Sequence, residues 1–436
     1  MTIELCSPIQ FGNQFMTFAI PVFKSTDAKP MMRALLAFGS AEMVNRIVRI
    51  LVVIVIARQL VPELVGVAAL TLSIFELVRV LANIGVGQKI IAAHDDLLER
   101  TCNSAYKIFW QWCVAVAVIQ CLVALTLYMI FDQLLAAQML AVLCGVYFFM
   151  PGGLVQCFRL MRAKKLSTVA RIGASQTIAD HLITGVLVLA WANPWAIVLP
   201  KLLTAPLWLI MMRNAEHWSF DATKGVIGRA EILSFGVAIL ATDILLACRN
   251  NLDKLIVSGL LGVTALGSYY FAFNAGIGIL GALATAFGTV IYPYLCNPQG
   301  QGRSQAVLNL IITTGLVVFG ILSAAQFFLA PIYVPLVFGA HWTHAIPLIQ
   351  ILSLAGIPLA MGAVTSAYLR ATGRAKLDVW IGLSVCTVTL GAMFAGAQVG
   401  LIEAAIGWVG GTILTIGTFV IILTTKWRVG RLETVK

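Results

Sequence analysis

Seven basic residues of this chain, Arg46, Arg49, Arg58, Arg79, Lys201, Arg249 and Lys254, lie within long apolar stretches rather than in the polar links that separate them. A cation at the centre of a bilayer costs about 2.5–3.5 kcal/mol on insertion scales, so such groups face a wet cavity or a partner. Arg46 and Arg49 are three residues apart and share one face of a helix. Arg249 lies deep in a later stretch, with Asp253 one turn further on and Lys254 beside it. A guanidinium presents a planar fork of donors and stays ionised at any relevant pH, which suits a phosphate or pyrophosphate group. The candidate binding set for such an anion is therefore Arg46, Arg49, Arg249, Arg79, Lys254 and Asp253. The competing reading is structural: Glu42–Arg46, Glu76–Arg79 and Arg249–Asp253 all stand at helical contact spacing and would serve as neutral pairs that lock helices. Arg58 and Lys201 lie close enough to the ends of their stretches to snorkel. Asp180, His181 and Asp243 have the chemistry of a proton relay, although structural hydrogen bonding is the favoured reading for them.

Other chemistries find little support. The nine cysteines are scattered without the spacing of a disulfide or metal framework and read as small packing residues. His341-Trp-Thr-His344 places two imidazoles on one helical face, but interfacial residues are the simpler reading, so no metal site and no cofactor are expected. No nucleophile–base pair appears at recognisable spacing. The links on the side away from the basic ones are too short to carry acid–base machinery, which argues against a membrane polymerase or ligase.

These residues must be positioned by helices in a membrane. The chain has 436 residues, 60% apolar and 11% charged, far more apolar surface than a soluble core can absorb. Stretches near 34–57, 62–84, 106–130, 134–157, 173–192, 195–212, 232–258, 264–293, 305–329, 345–369, 376–397 and 401–425 are each long enough to span, giving about twelve transmembrane helices. Apart from the seven embedded cations, the 29 Lys and Arg fall in alternate links, for example Arg159, Arg162, Lys164, Lys165 and Arg171 in one and Arg370, Arg374 and Lys376 in another. The intervening links, around Asp132, Asn193, Gly262, His341 and Gly400, hold none. The positive-inside rule then places both termini in the cytoplasm and accounts for the net charge of +11 without nucleic acid. Residues 1–30 carry no basic region ahead of their short apolar run, so no signal peptide is indicated; residues 1–32 are expected to be a disordered cytoplasmic tail, or the part before Met31-Met32-Arg33 a misread start.

The chain also repeats itself. Leu60-Val-Pro-Glu-Leu-Val-Gly66 falls over Leu261-Gly-Val-Thr-Ala-Leu-Gly267 at an offset of 201, and Leu160-Met-Arg-Ala-Lys-Lys165 echoes Leu369-Arg-Ala-Thr-Gly-Arg374 near 208. Six spans per half is an even number, so both halves enter from the same side and should be related by a pseudo-two-fold axis along the membrane normal. The expected fold is an all-α polytopic membrane protein in two six-helix lobes, 33–212 and 232–425. A cytoplasmic linker over 213–231 joins them and a basic tail over 426–436 follows. Under the repeat offset Arg249 matches Val48, next to Arg49, so each half offers a guanidinium at nearly one depth. Gly407-Trp-Val-Gly-Gly411 reads as a small-xxx-small helix contact, and Gly276, Gly278 and Gly281 as points of close approach.

Several stretches together resemble a known family: Ala57-Arg-Gln-Leu-Val-Pro-Glu-Leu-Val-Gly66, Asn251-Leu-Asp-Lys-Leu-Ile256 with Gly267-Ser-Tyr269, Phe338-Gly339 followed by Ala345, and Leu369-Arg-Ala-Thr-Gly-Arg-Ala-Lys376. Over roughly residues 33–426 the chain is similar to the oligosaccharide flippases of bacterial polysaccharide export, in the multidrug/oligosaccharidyl-lipid/polysaccharide exporter superfamily. The resemblance implies two six-helix lobes around a cavity that opens alternately to either face of the bacterial inner membrane. It implies a cargo of oligosaccharide on undecaprenyl pyrophosphate, destined for O-antigen, capsule or exopolysaccharide. A polysaccharide polymerase and a chain-length regulator are candidate partners on this reading. The alternative within the superfamily is a cation-coupled multidrug antiporter, which would need uncompensated carboxylates; the embedded arginines favour an anionic cargo.

Overall fold

The computed structural model describes residues 45–296 and 305–433. The expected tail over 1–32, Glu42 with its suggested pairing to Arg46, and Arg303 lie outside the described residues. All regular structure among the described residues is helical. In chain order the helices are α1 (45–59), α2 (Pro62–Arg79), α3 (Val86–Ala92), α4 (Leu98–Met129), α5 (Leu134–Leu143), α6 (Val146–Phe149), α7 (Pro151–Arg162), α8 (Leu166–Ala190), α9 (Trp195–Leu203), α10 (Ala205–Ala215), α11 (Arg229–Ala275), α12 (Ile277–Leu295), α13 (Gln305–Tyr333), α14 (Ile346–Ser353), α15 (Gly356–Ala371), α16 (Ala375–Ala397) and α17 (Leu401–Glu433). Nine helical segments among the described residues are long and apolar enough to cross a membrane, and a tenth if the bent α5–α7 stretch counts as one span. Helix α17 runs on past the expected end of its span at 425, through the start of the basic tail.

Local sequence explains where helices begin and break. Pro62 opens α2, where a missing N–H costs nothing, with Glu63 in the first turn and Arg79 in the last, each complementing the helix dipole. The expected span 134–157 bends by 52° where Pro151 opens α7, because its ring cannot follow a helical turn without clash. Gly276 leaves helical angles between α11 and α12 (φ −105, ψ −101), so the expected span over 264–293 is interrupted. Within α11 Gly262 takes φ +86 and ψ 172, a backbone region that favours glycine, and divides the helix at the expected short link.

The chain separates into two compact units, one containing the described residues up to Gln59 with Leu70–Asn251, the other Leu60–Ala69 with Leu252 onward. In the first unit α3, α4 and α7 pack around Val86, Ile90, Cys102, Ala105, Val155 and Phe158, all fully buried. In the second, α12, α15, α16 and α17 enclose Leu295, Ala360 and Leu369. Gly407 and Gly411 of α17 press against the backbone at Ala392 and Thr389 of α16, the small-xxx-small contact expected from sequence. The closest crossing joins the first turns of α2 to α11 just after Gly262. A β-carbon on Gly66 would overlap the Val263 carbonyl, and one on Gly267 would overlap the Pro62 carbonyl. Shifting by 201 residues exchanges these two contacts.

The segment over 216–228, inside the expected linker, is clamped onto the first unit. Asn103 donates to the carbonyls of Asp221 and Gly225 at 2.7 and 3.0 Å and accepts from the Asp221 N–H. Ser104 both donates to and accepts from the backbone of Ile227. Gln156 donates to the Trp218 carbonyl. Arg159 bridges Glu99 at 2.7 Å and Glu216 at 3.0 Å, and Glu99 also accepts from the Trp218 indole. Two hydrogen bonds from Thr223 hold the Asp221 carboxyl below the usual carboxylate range.

Two outcomes follow from this packing. Gly66→Ala and Gly267→Ala should each lower the yield of monodisperse protein in detergent, because backbone, unlike a flexible side chain, cannot move aside. Asn103→Leu should cost about 1–3 kcal/mol by orphaning buried backbone groups, seen as a lower unfolding temperature and faster trypsin cleavage at Lys224.

Candidate functional site

The first unit gathers charges from four helices. In α2 Arg79 holds Glu76 through two guanidinium nitrogens, Nε at 3.0 Å and Nη2 at 2.6 Å. In α9 Lys201 donates to Asp180 of α8 at 2.8 Å. Lys201 also lies within electrostatic reach of Glu76 and Arg79, and Arg49 of α1 within reach of His181 beside Asp180. Three cations, Arg49, Arg79 and Lys201, thus stand near the two carboxylates of Glu76 and Asp180. Lys201 is the member that sequence reasoning set aside as a snorkelling end. Its partner is 21 residues away, and only the return of α9 along α8 reveals the pair.

The second unit holds a different arrangement. Lys254 donates to Asp253 at 3.1 Å, and the Tyr269 hydroxyl donates to the same carboxylate at 3.0 Å. The Lys254 ammonium also sits 5.3 Å above the centre of the Phe273 ring. The suggested Arg249–Asp253 pair is not among the ion pairs of the described residues; the carboxylate is already taken.

Exposure separates the two arrangements. The Arg79 and Glu76 side chains remain 41% and 33% exposed and Lys201 34%, whereas Lys254 and Asp253 are only 10% and 4% exposed. An exposed pair can exchange partners with a ligand, while a sealed and fully bonded one can only hold helices together. Among the sequence candidates Arg49 and Arg249 are exposed and Arg46 is half-buried. Arg79 is available at the cost of displacing Glu76. Lys254 and Asp253 are nearly fully buried and bonded to each other.

The remaining candidates have plain hydrogen-bonding roles. Asp243 accepts from Asn83 at 2.5 Å. His344 uses both ring nitrogens within the protein, one toward the His341 carbonyl and one toward the Ser268 hydroxyl. No group of three or more potential metal ligands occurs among the described residues.

An all-helical chain with many apolar spans and accessible charge embedded among them is a multi-pass membrane protein. Its fold is that of known transporters. Over 89% of this chain and 87% of the other, it superposes on lipid II flippase MurJ in an inward closed conformation with a TM-score of 0.73 at 13% identity. Over 92% and 99%, it superposes on an inward-facing multidrug resistance MATE family transporter of the MOP superfamily with a TM-score of 0.66 at 14% identity. The polysaccharide biosynthesis protein family model matches residues 55–347, and the chain belongs to that family. It is similar to the lipopolysaccharide biosynthesis protein WzxC of Escherichia coli K12, 23% identical over 79% of this chain and 71% of the relative. It is likewise similar to the succinoglycan biosynthesis transport protein ExoT of Rhizobium meliloti, 23% identical over 81% and 72%.

The contrast between the two clusters is measurable. Asp253→Leu should cost about 3–5 kcal/mol by stranding a buried ammonium and should reduce folded protein sharply. Glu76→Gln should cost about 1 kcal/mol or less, as for other accessible ion pairs. Thermal unfolding of both variants in detergent checks the difference.

Proposed function

We propose that this protein is a flippase that moves undecaprenyl-pyrophosphate-linked oligosaccharide units from the cytoplasmic to the outer leaflet of the bacterial inner membrane, for O-antigen, capsule or exopolysaccharide synthesis. The observation that carries the reading is the family match over most of the chain, joined to accessible arginines in apolar helices. The polyprenyl tail stays in lipid while the anionic, sugar-bearing head follows a charged, hydrated surface. Crossing needs no bond to form or break, so the protein acts as a transporter and not as an enzyme.

The binding groups in this proposal are Arg46, Arg49 and Arg249, with Arg79 recruited from Glu76. Lys254 and Asp253 contribute by holding α11 in place. The proposal includes twelve spans in two six-helix halves, with both termini and the basic links in the cytoplasm. Two features support the halves: the repeat offset and the paired contacts of Gly66 and Gly267 that this offset interchanges. A polymerase and a chain-length regulator remain the candidate partners downstream.

Charge reversal discriminates this reading from a multidrug antiporter. Arg46→Glu or Arg249→Glu should abolish polysaccharide export while the protein still reaches the membrane, and lipid-linked repeat units should accumulate on the cytoplasmic leaflet. Export at the parental level in both variants would remove these arginines from the mechanism. A chain that protects cells from cationic drugs, with polysaccharide unaffected by its deletion, would establish the antiporter instead.

A further inference from the structure

We propose that the clamped segment over 216–228, together with the first turns of α4, forms a docking surface for the phosphate headgroups of anionic phospholipids. The clamp fixes which side chains of the segment face inward and which face out. Trp218 turns in to Glu99 and the Tyr106 ring. Phe220 remains 36% exposed and Val226 53% exposed, apolar groups on a segment otherwise bonded firmly to the protein. Phe220 stacks on Tyr106 with ring centroids 5.9 Å apart, and Tyr106 meets Trp110 edge-on at 6.3 Å. These aromatic rings with one apolar face and polar edges have the composition that settles at the boundary between headgroups and acyl chains.

The charge around this aromatic patch is positive. Lys107 is exposed and sits 5.1 Å over the Phe220 ring. Arg100 is exposed and its Nε lies 3.8 Å from where a β-carbon of Gly225 would stand, so it flanks the same segment. Among the described residues neither Arg100 nor Lys107 carries an ion pair. Of the nearby acids, Glu99 is engaged by Arg159, Trp218 and Lys224, Glu216 by Arg159 and Asp95 by Arg162, while Asp221, held by Thr223, and exposed Asp96 keep their charges beside Lys224 and Arg100. Exposed apolar side chains beside exposed cations that hold no ion pair, on backbone held rigid from behind, fit an anionic lipid surface in charge and polarity. Water alone would leave Phe220 and Val226 unburied. A zwitterionic headgroup would bring no net charge to meet Arg100 and Lys107. The occupant is therefore a phosphate-bearing anionic lipid of the leaflet that borders the basic links. This surface does not depend on the cargo or on the transport cycle.

The test uses the full chain in nanodiscs containing either dioleoyl-phosphatidylglycerol or dioleoyl-phosphatidylcholine. A photo-crosslinking residue replaces Val226, and lipid adducts are counted by mass spectrometry. Adducts should favour phosphatidylglycerol in mixed discs by about tenfold, as two cations near an anionic surface allow. The double variant Arg100→Gln with Lys107→Gln should bring that preference close to one while its unfolding temperature in phosphatidylcholine stays unchanged. Inorganic phosphate at millimolar concentration should not compete, since a free ion does not cover Phe220 and Val226. Equal capture of both lipids by the parental chain would overturn the proposal, as would absence of lipid adducts, capture of protein in their place, or a preference that survives the double substitution.

Discussion

Hydrocarbon offers a charged side chain no water, so each embedded charge in this chain must find a countercharge or a wet surface. Both solutions are present. Asp253, Lys254 and Tyr269 close on one another with the Phe273 ring beneath the ammonium, and almost nothing of the carboxylate remains exposed. In the first unit Glu76–Arg79 of α2 is paired but open, and Lys201 of α9 stays partly exposed while it holds the buried Asp180 of α8. Their exposure marks a surface that water reaches or that a headgroup can enter. Close approach at small residues, as at Gly66 with Gly267 and at Gly407 and Gly411, supplies helix packing where hydrophobic burial drives little association between helices already in lipid.

Much of this was legible in the sequence, and the unreadable part has a common cause. Helix positions follow from apolar runs, and the bend at Pro151 follows from proline geometry. Glu76–Arg79 is visible because residues three apart on a helix are neighbours. Asp180–Lys201 is not, since 21 residues and a turn intervene. The Arg249–Asp253 spacing pointed to a pair, yet Asp253 bonds to the adjacent Lys254 and to Tyr269, which returns beside it only after the turn at Gly262. Spacing within one helix can nominate partners; it cannot exclude a better partner from another element. The segment over 216–228 shows the same limit. Its polar composition reads as a linker, while the groups that clamp it, Asn103 and Ser104, lie more than a hundred residues earlier in the chain.

The repeat gives the glycines their meaning. Gly66 and Gly267 occupy equivalent places in two degenerate motifs, and a lone glycine in either would be unremarkable. Their contacts explain the recurrence: each lets a carbonyl of the other motif approach where a side chain would overlap it. Shared backbone geometry therefore accounts for the match at these positions even where the flanking residues have diverged. The likeness to MurJ and to MATE transporters has the same character, since at 13–14% identity it speaks to fold while the family match speaks to kinship.

Openness of the Arg79–Glu76 pair also bears on how an anion could bind without a large penalty. Removing one partner from a buried ion pair strands the other, which is why a sealed pair resists exchange. Glu76, however, already lies within electrostatic reach of Lys201 as well as Arg79. A phosphate oxygen that takes the Arg79 fork would leave Glu76 near a second cation instead of alone in apolar surroundings. Lys201 in turn keeps Asp180 at 2.8 Å. A chain of alternating charges can thus hand over one link at a time, and no carboxylate in it need be left without a cation. Asp253 and Lys254 instead face each other in a nearly sealed site, and that difference in exposure, more than the number of charges in either unit, separates the two arrangements.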